Sequence, residues 1–284
     1  LAIYAVSLLV PKEKTLAMLL CGFPGVLMNL RWGQNAFLNT ALIGIGIGSI
    51  DSNPALAGLM FGILTYKPQM AAFALLLLIL SKKWKVISWT AAFSLLFIML
   101  SGLLFGFDVW IEFVRSFFLS TSNLLGSEWV GLSAIQPSLY STFRLLGVGG
   151  TMNVILLAII GIAVTVVTVY IWRNTENIML KGSALVVGAL LTVPYYLQYD
   201  LMILAIPLVL LTYECSVRGF KLWDIACLVL LWIMPLISWP LVLHTKIQIC
   251  PAILIIIMAK IAIMVFKDLQ VQPKPNLPEG RVYG

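Results

Sequence analysis

The chain has 284 residues, 61% of them hydrophobic and only 10% charged, with a mean hydropathy of +1.04. That composition excludes a soluble domain and predicts an all-α, polytopic membrane protein. The net charge of +7 comes from short basic clusters between apolar runs, so it predicts loop anchoring at a membrane surface and no nucleic-acid partner.

The apolar run Leu1–Val10 is about half the ~20 residues needed to cross a bilayer, and no charged region precedes it. It reads as the end of a helix that begins upstream, so the chain is expected to be an N-terminally truncated piece of a larger protein. Membrane helices are predicted near 15–30, 36–50, 55–66, 69–80, 86–106, 151–172, 182–193, 200–213, 223–242 and 250–266. Several are too short to cross alone at 1.5 Å per residue, which predicts a site sunk below the membrane surface. Between 107 and 150 lies one long polar connection. The multi-spanning domain is thus expected over 1–266. A disordered cytoplasmic tail follows over 267–284, carrying Pro273, Pro275 and Pro278.

Lys67 stands near the middle of the apolar stretch 54–80, followed by Pro68 and Gln69. A lysine at the bilayer centre costs about 2.5–3.5 kcal/mol, so one that persists usually faces a cavity or an anion. The proline breaks the helical ladder, and broken helices at membrane depth occur only within protein or along a water-filled site. Two topologies follow. A hairpin with Lys67 at its tip puts five basic residues (Arg31, Lys67, Arg115, Arg144, Lys246) outside and twelve in the cytoplasm, with Lys260 inside a helix. A single crossing gives eleven against five and leaves both Lys67 and Lys260 in the membrane. Charge barely separates them, and the proline and the lysine favour the hairpin.

On that topology the outer face collects polar residues. These are the turn Arg31-Trp32-Gly33-Gln34-Asn35, the tip Lys67-Pro68-Gln69, then Glu128, Gln136 and Arg144, and the break Pro194-Tyr195-Tyr196-Leu197-Gln198-Tyr199-Asp200. Arginine holds phosphate through its bidentate fork and lysine as a point charge. Glutamine, asparagine and tyrosine suit sugar hydroxyls, which need both donors and acceptors. The bland alternatives are an interfacial anchor for Arg31 and a helix cap for Asp200.

These segments resemble glycosyltransferase family 87, membrane enzymes of the GT-C class related to polyprenyl-phosphate-mannose-dependent mannosyltransferases. The resemblance rests on Trp32-Gly33-Gln34-Asn35, Ala57-Gly58-Leu59, Leu64-Thr65-Tyr66-Lys67-Pro68-Gln69, Ser141-Thr142-Phe143-Arg144-Leu145-Leu146-Gly147 and Pro194 to Leu201, in that order. Some relatives carry a histidine at the last break; here Gln198, Tyr199 and Asp200 stand instead. The resemblance implies a GT-C-like bundle of about ten spanning or partly spanning helices in a bacterial inner membrane. It implies inverting transfer of a hexose, such as mannose, from a polyprenyl-phosphate donor to a glycan or glycolipid hydroxyl on the extracytoplasmic side. It implies no separate cofactor. The catalytic acid of this class usually lies in a first outer loop, expected upstream of this chain, with Asp200 and Glu128 the fallbacks. Substrate-binding residues are then Arg31, Gln34, Asn35, Lys67, Gln69, Gln136, Arg144, Tyr199 and Asp200.

Other features are read structurally. Gly44-Ile45-Gly46-Ile47-Gly48 sits inside an apolar helix and predicts close helix packing, not a dinucleotide loop. Residues 108–118 put Trp110, Phe113, Val114, Phe117 and Phe118 on one face, an interfacial helix that is either an anchor or one wall of a lipid path. Cys21, Cys215, Cys227 and Cys250 form no CxxC pair, and His244 has no partner ligands, so no metal is expected. A transporter or lipid flippase also uses broken helices and intramembrane charge, and a non-catalytic membrane subunit is a third class.

Overall fold

The computed structural model describes the backbone of residues 19–126 and 130–271. Among these residues there are thirteen α-helices, one 3-10 segment and no strand. The chain is a polytopic all-α membrane protein. Among the described residues, five helical segments are long and apolar enough to cross a bilayer, and four more are apolar but shorter.

Helix α1 (Pro24–Trp32) starts on a proline and stops at Gly33, whose φ of +59° suits the one residue without a Cβ. The Gly33 and Gln34 N–H groups then donate back to Leu30 O and Asn29 O. The Asn29 side chain reaches across the turn and accepts from Ala36 N–H at 3.1 Å, which fixes the entry into α2 (Ala36–Ser49).

Helices α3 (Pro54–Leu64) and α4 (Pro68–Leu80) are the two arms of a hairpin, and α5 (Trp84–Phe105) follows. A single helix over 54–80 would hold its ends about 40 Å apart. Asp51 and Lys83, just outside those ends, instead form an ion pair. The glycines on α3 set its approach to α5. A Cβ at Gly58 would lie 2.3 Å from Trp89 Cβ, and one at Gly62 would lie 2.9 Å from Phe93 Cβ. This is small-residue packing, in which backbones meet without lipid between them. The same logic operates at Gly46, which faces the Phe61 ring. Because 58 meets 89 and 62 meets 93, α3 and α5 run parallel. The hairpin tip therefore stops below the end of α5 by about 10 Å.

The connection expected as a polar loop with an interfacial helix over 108–118 is largely helical. It holds α6 (Asp108–Gly126), α7 (Val130–Ile135) and α8 (Leu139–Leu145). Trp110 on α6 donates to Ser101 Oγ at 3.0 Å, clamping α6 against the end of α5. Then come α9 (Gly150–Asn174), α10 (Ile178–Thr192), a 3-10 turn (Gln198–Leu204) leading into α11 (Ala205–Arg218), α12 (Leu222–Thr245) and α13 (Cys250–Val271). The last helix runs past the predicted boundary at 266, and the remaining tail lies outside the described residues, as do residues 1–18.

The core is built on α10 and α11. The span Gln198–Arg218 is 78% buried, against 17% for α5 and for α9, so those two are flanking helices. One end of the bundle gathers Asp51–Lys83, Lys181–Glu176, Arg173 on Leu80 O, and Arg218–Asp268. Lys67 lies toward the other end.

Candidate functional site

Two breaks meet at the Lys67 end. The first separates α3 from α4. Thr65 closes α3 by donating its hydroxyl to Gly62 O at 2.6 Å, and Lys67 N–H donates to Leu64 O at 2.9 Å. Lys67 then takes the N-cap position of α4, where Pro68 needs no donor. The second break follows α10 and spans Val193–Leu197 before the 3-10 turn. It is pinned by the Tyr196 hydroxyl, which donates to Pro137 O at 2.5 Å, and by Gln198 Nε2, which donates to Pro235 O at 2.9 Å.

Lys67 Nζ lies 3.0 Å from Asp200 Oδ1, joining residues 133 positions apart. Asp200 Oδ2 accepts from Leu197 N–H at 3.2 Å, so both carboxylate oxygens are engaged. The Asp200 side chain is 4% exposed and that of Lys67 15%, so the ammonium is the partner that faces open space. Lys67 Nζ also lies 5.2 Å from the Tyr199 ring centroid, a cation–π distance. Neutralising a buried carboxylate in this way keeps the desolvation penalty of both ions tolerable.

The open space is a cleft of about 310 Å³. Its walls are Tyr66 to Gln69 from the hairpin tip, Phe113, Ser116 and Phe117 from α6, and Tyr195 to Leu197 with Tyr199 and Asp200 from the second break. Asp200 is the one carboxylate among the lining residues. The Tyr66 hydroxyl donates to Asn39 Oδ1 on α2, which holds that phenol against the cleft. A second, apolar groove of about 640 Å³ runs between α4, α9 and α10, and Gln69 borders both spaces.

Of the predicted site residues, Lys67, Gln69, Tyr199 and Asp200 line this cleft. Arg31 does not; its guanidinium packs 4.9 Å from the Trp239 ring on α12. Gln34 and Asn35 are exposed on the neighbouring turn, and Trp32 reaches the cleft's edge at 6.4 Å from the Tyr199 ring. Gln136 is buried behind the second break, accepting from Ser141 Oγ at 3.2 Å, and Arg144 closes α8; neither lines the cleft. Glu128 lies outside the described residues. Tyr66 was not named as a site residue, Tyr195 and Tyr196 entered only as members of the second break, and the α6 wall only as one of two readings of the 108–118 helix. The one signal for that wall was the aromatic face of residues 108–118.

A family model for glycosyltransferase family 87 matches residues 1–194. The chain belongs to glycosyltransferase family 87. It is a multi-pass membrane glycosyltransferase in the general sense that this membership carries. In this family 87 member the matched stretch contains the Lys67 hairpin and α6, while the break bearing Tyr199 and Asp200 falls just beyond it. Neither curated proteins nor solved structures give a match.

Proposed function

We propose that the cleft takes a polyprenyl-phosphate hexose, mannose among the candidates, and passes the sugar with inversion to a glycan or glycolipid hydroxyl on the extracytoplasmic side of a bacterial inner membrane. The observation that carries this reading is the Lys67 ammonium, anchored by Asp200 yet turned toward the cleft. As the acceptor oxygen bonds to one face of the anomeric carbon, the bond from that carbon to the lipid-phosphate oxygen breaks on the other. The electron pair leaves with the phosphate, whose charge rises as a diester becomes a monoester. A fixed cation beside that oxygen stabilises the transition state more than the ground state. Tyr66, Tyr199 and Gln69 supply donors and acceptors for sugar hydroxyls, and the apolar groove that begins at Gln69 suits a hydrocarbon chain.

Asp200, with both oxygens engaged, acts here as a positioning residue for Lys67. Removal of the acceptor proton is assigned to a carboxylate outside the described residues, Glu128 among them. The basic clusters at the opposite end support an outward-facing cleft. The test uses the full-length protein in liposomes with no ion gradient, given polyprenyl-phosphate hexose and membrane acceptors. Release of polyprenyl phosphate coupled to sugar transfer is expected. Gradient-dependent solute uptake without transfer would replace this reading with a transporter.

A further inference from the structure

The end opposite the cleft holds a second charged pocket, of about 330 Å³, between the C-terminal end of α11, the start of α12 and α13. Arg218, Lys221, Lys260 and Lys267 line it, with Asp224 the one acid among the lining residues. Glu214 and Asp268, which pair with Arg218, are not among the lining residues. Arg218 is held by Glu214 through Nε at 2.6 Å and by Asp268 through both terminal nitrogens at 2.6 and 2.7 Å. Lys260, itself buried, is held by Asp224. Lys221 and Lys267 are exposed at the rim and form no ion pair among the described residues.

The pocket's surroundings choose between a soluble anion and a lipid. Leu222 is 85% exposed, Val217 68% and Trp223 58%, all beside the basic rim. Ile263 on the pocket wall and Val229 farther along α12 continue this apolar surface along the bundle. A tryptophan at a helix start beside lysines is the pattern of a membrane–water interface, where the ring sits at headgroup level. A soluble phosphate has no use for that apolar rim; a phospholipid occupies both parts, with its phosphate at the lysines and its chains along α12 and α13.

We propose that this pocket binds the headgroup of an anionic phospholipid from the leaflet at the end opposite the cleft. The lipid is distinct from any sugar donor, because Asp200 and Arg218 stand at opposite ends of one helical span, about 27 Å apart. Basic pockets between membrane helices on the cytoplasmic side recognise such headgroups through charge and hydrogen bonds.

The test measures lipid retention by native mass spectrometry on delipidated, full-length protein in detergent. The probes are phosphatidylglycerol, phosphatidylcholine of the same chain length, and inorganic phosphate. Wild type is expected to retain phosphatidylglycerol over phosphatidylcholine. Lys221→Gln and Lys267→Gln should each weaken that retention about fivefold, and the pair about thirtyfold. Both side chains are exposed, so folding should survive. The control, Lys82→Gln with Lys85→Gln, removes equal charge at the same end but outside the pocket and should change nothing. Equal retention of the two lipids, an unaffected pocket variant, or an equally affected control would each overturn the proposal. Inorganic phosphate competing as well as phosphatidylglycerol would reassign the pocket to a free anion and overturn the lipid source.

Discussion

Among the described residues, two of the three lysine–aspartate pairs are largely buried in the bundle, and they face opposite ways. In Lys67–Asp200 the carboxylate is the more deeply buried partner, and the ammonium turns toward a cleft lined by tyrosines. In Lys260–Asp224 the lysine is buried, with a side chain 5% exposed, and the carboxylate lies toward the outside. The chemistry of the two pairs is the same, so a buried ion pair is not in itself a sign of function. What differs is which charge remains available to a third group. A pair with its cation outward can accept an anion without being dismantled; a pair with its cation turned inward holds helices together, and the pocket beside it takes its available charge from Lys221 and Lys267.

The comparison breaks if the two lysines respond alike to substitution. Lys260→Ala leaves Asp224 with only its bond from Lys221 N–H and is expected to destabilise the fold by about 1–3 kcal/mol, read as lower thermal stability in detergent. Replacing both partners with apolar residues of similar size should recover most of that loss. Asp200→Asn is expected to act on turnover more than on folding. It loosens Lys67 and should lower sugar transfer roughly tenfold to a hundredfold, the range of one charge-assisted hydrogen bond. If Asp200→Asn instead eliminates transfer while leaving donor affinity intact, Asp200 is the base and the assignment of proton removal moves to it. The smallest effect belongs to the half-exposed pair at the base of the hairpin. Asp51→Asn should change stability by no more than about 1 kcal/mol, a change that salt should erase.

The hairpin itself has a separate check. Cysteine placed at Asn35 or Gln69, with the native cysteines removed, should react with a membrane-impermeant thiol reagent added to intact cells. Reaction only after the cytoplasmic side is opened would invert the topology.

Much of the fold was legible in the apolar runs, because helices that must bury their backbone in lipid announce themselves by composition. The hairpin was only half legible. Pro68 and Lys67 signalled a break, but charge counting left two topologies nearly level until Asp51 and Lys83 were found together. The stretch 107–150 misled in the other direction. Beyond the expected helix at 108–118, which is the start of α6, it read as loop, yet a capped helix such as α8, with Ser138 accepting from Ser141 N–H, needs no apolar run. At the site, Lys67 was conspicuous because lysine is expensive in an apolar segment. Its partner was not, since nothing local in the sequence ties position 67 to position 200. Arg31 was read as a phosphate ligand by charge alone, whereas in the fold Trp239 from a distant helix takes up its guanidinium. The α6 wall stayed open between anchor and path wall because an aromatic face looks the same whether it meets lipid or lines a cleft.

The most direct test of the central claim is the turnover of Lys67→Ala in the full-length protein, with membrane insertion confirmed. Loss of the outward-facing cation should reduce transfer from a polyprenyl-phosphate hexose by at least about a hundredfold. Lys67→Arg should be impaired as well, because a planar guanidinium fills the site differently from a compact ammonium. Wild-type turnover by the alanine variant would contradict the account.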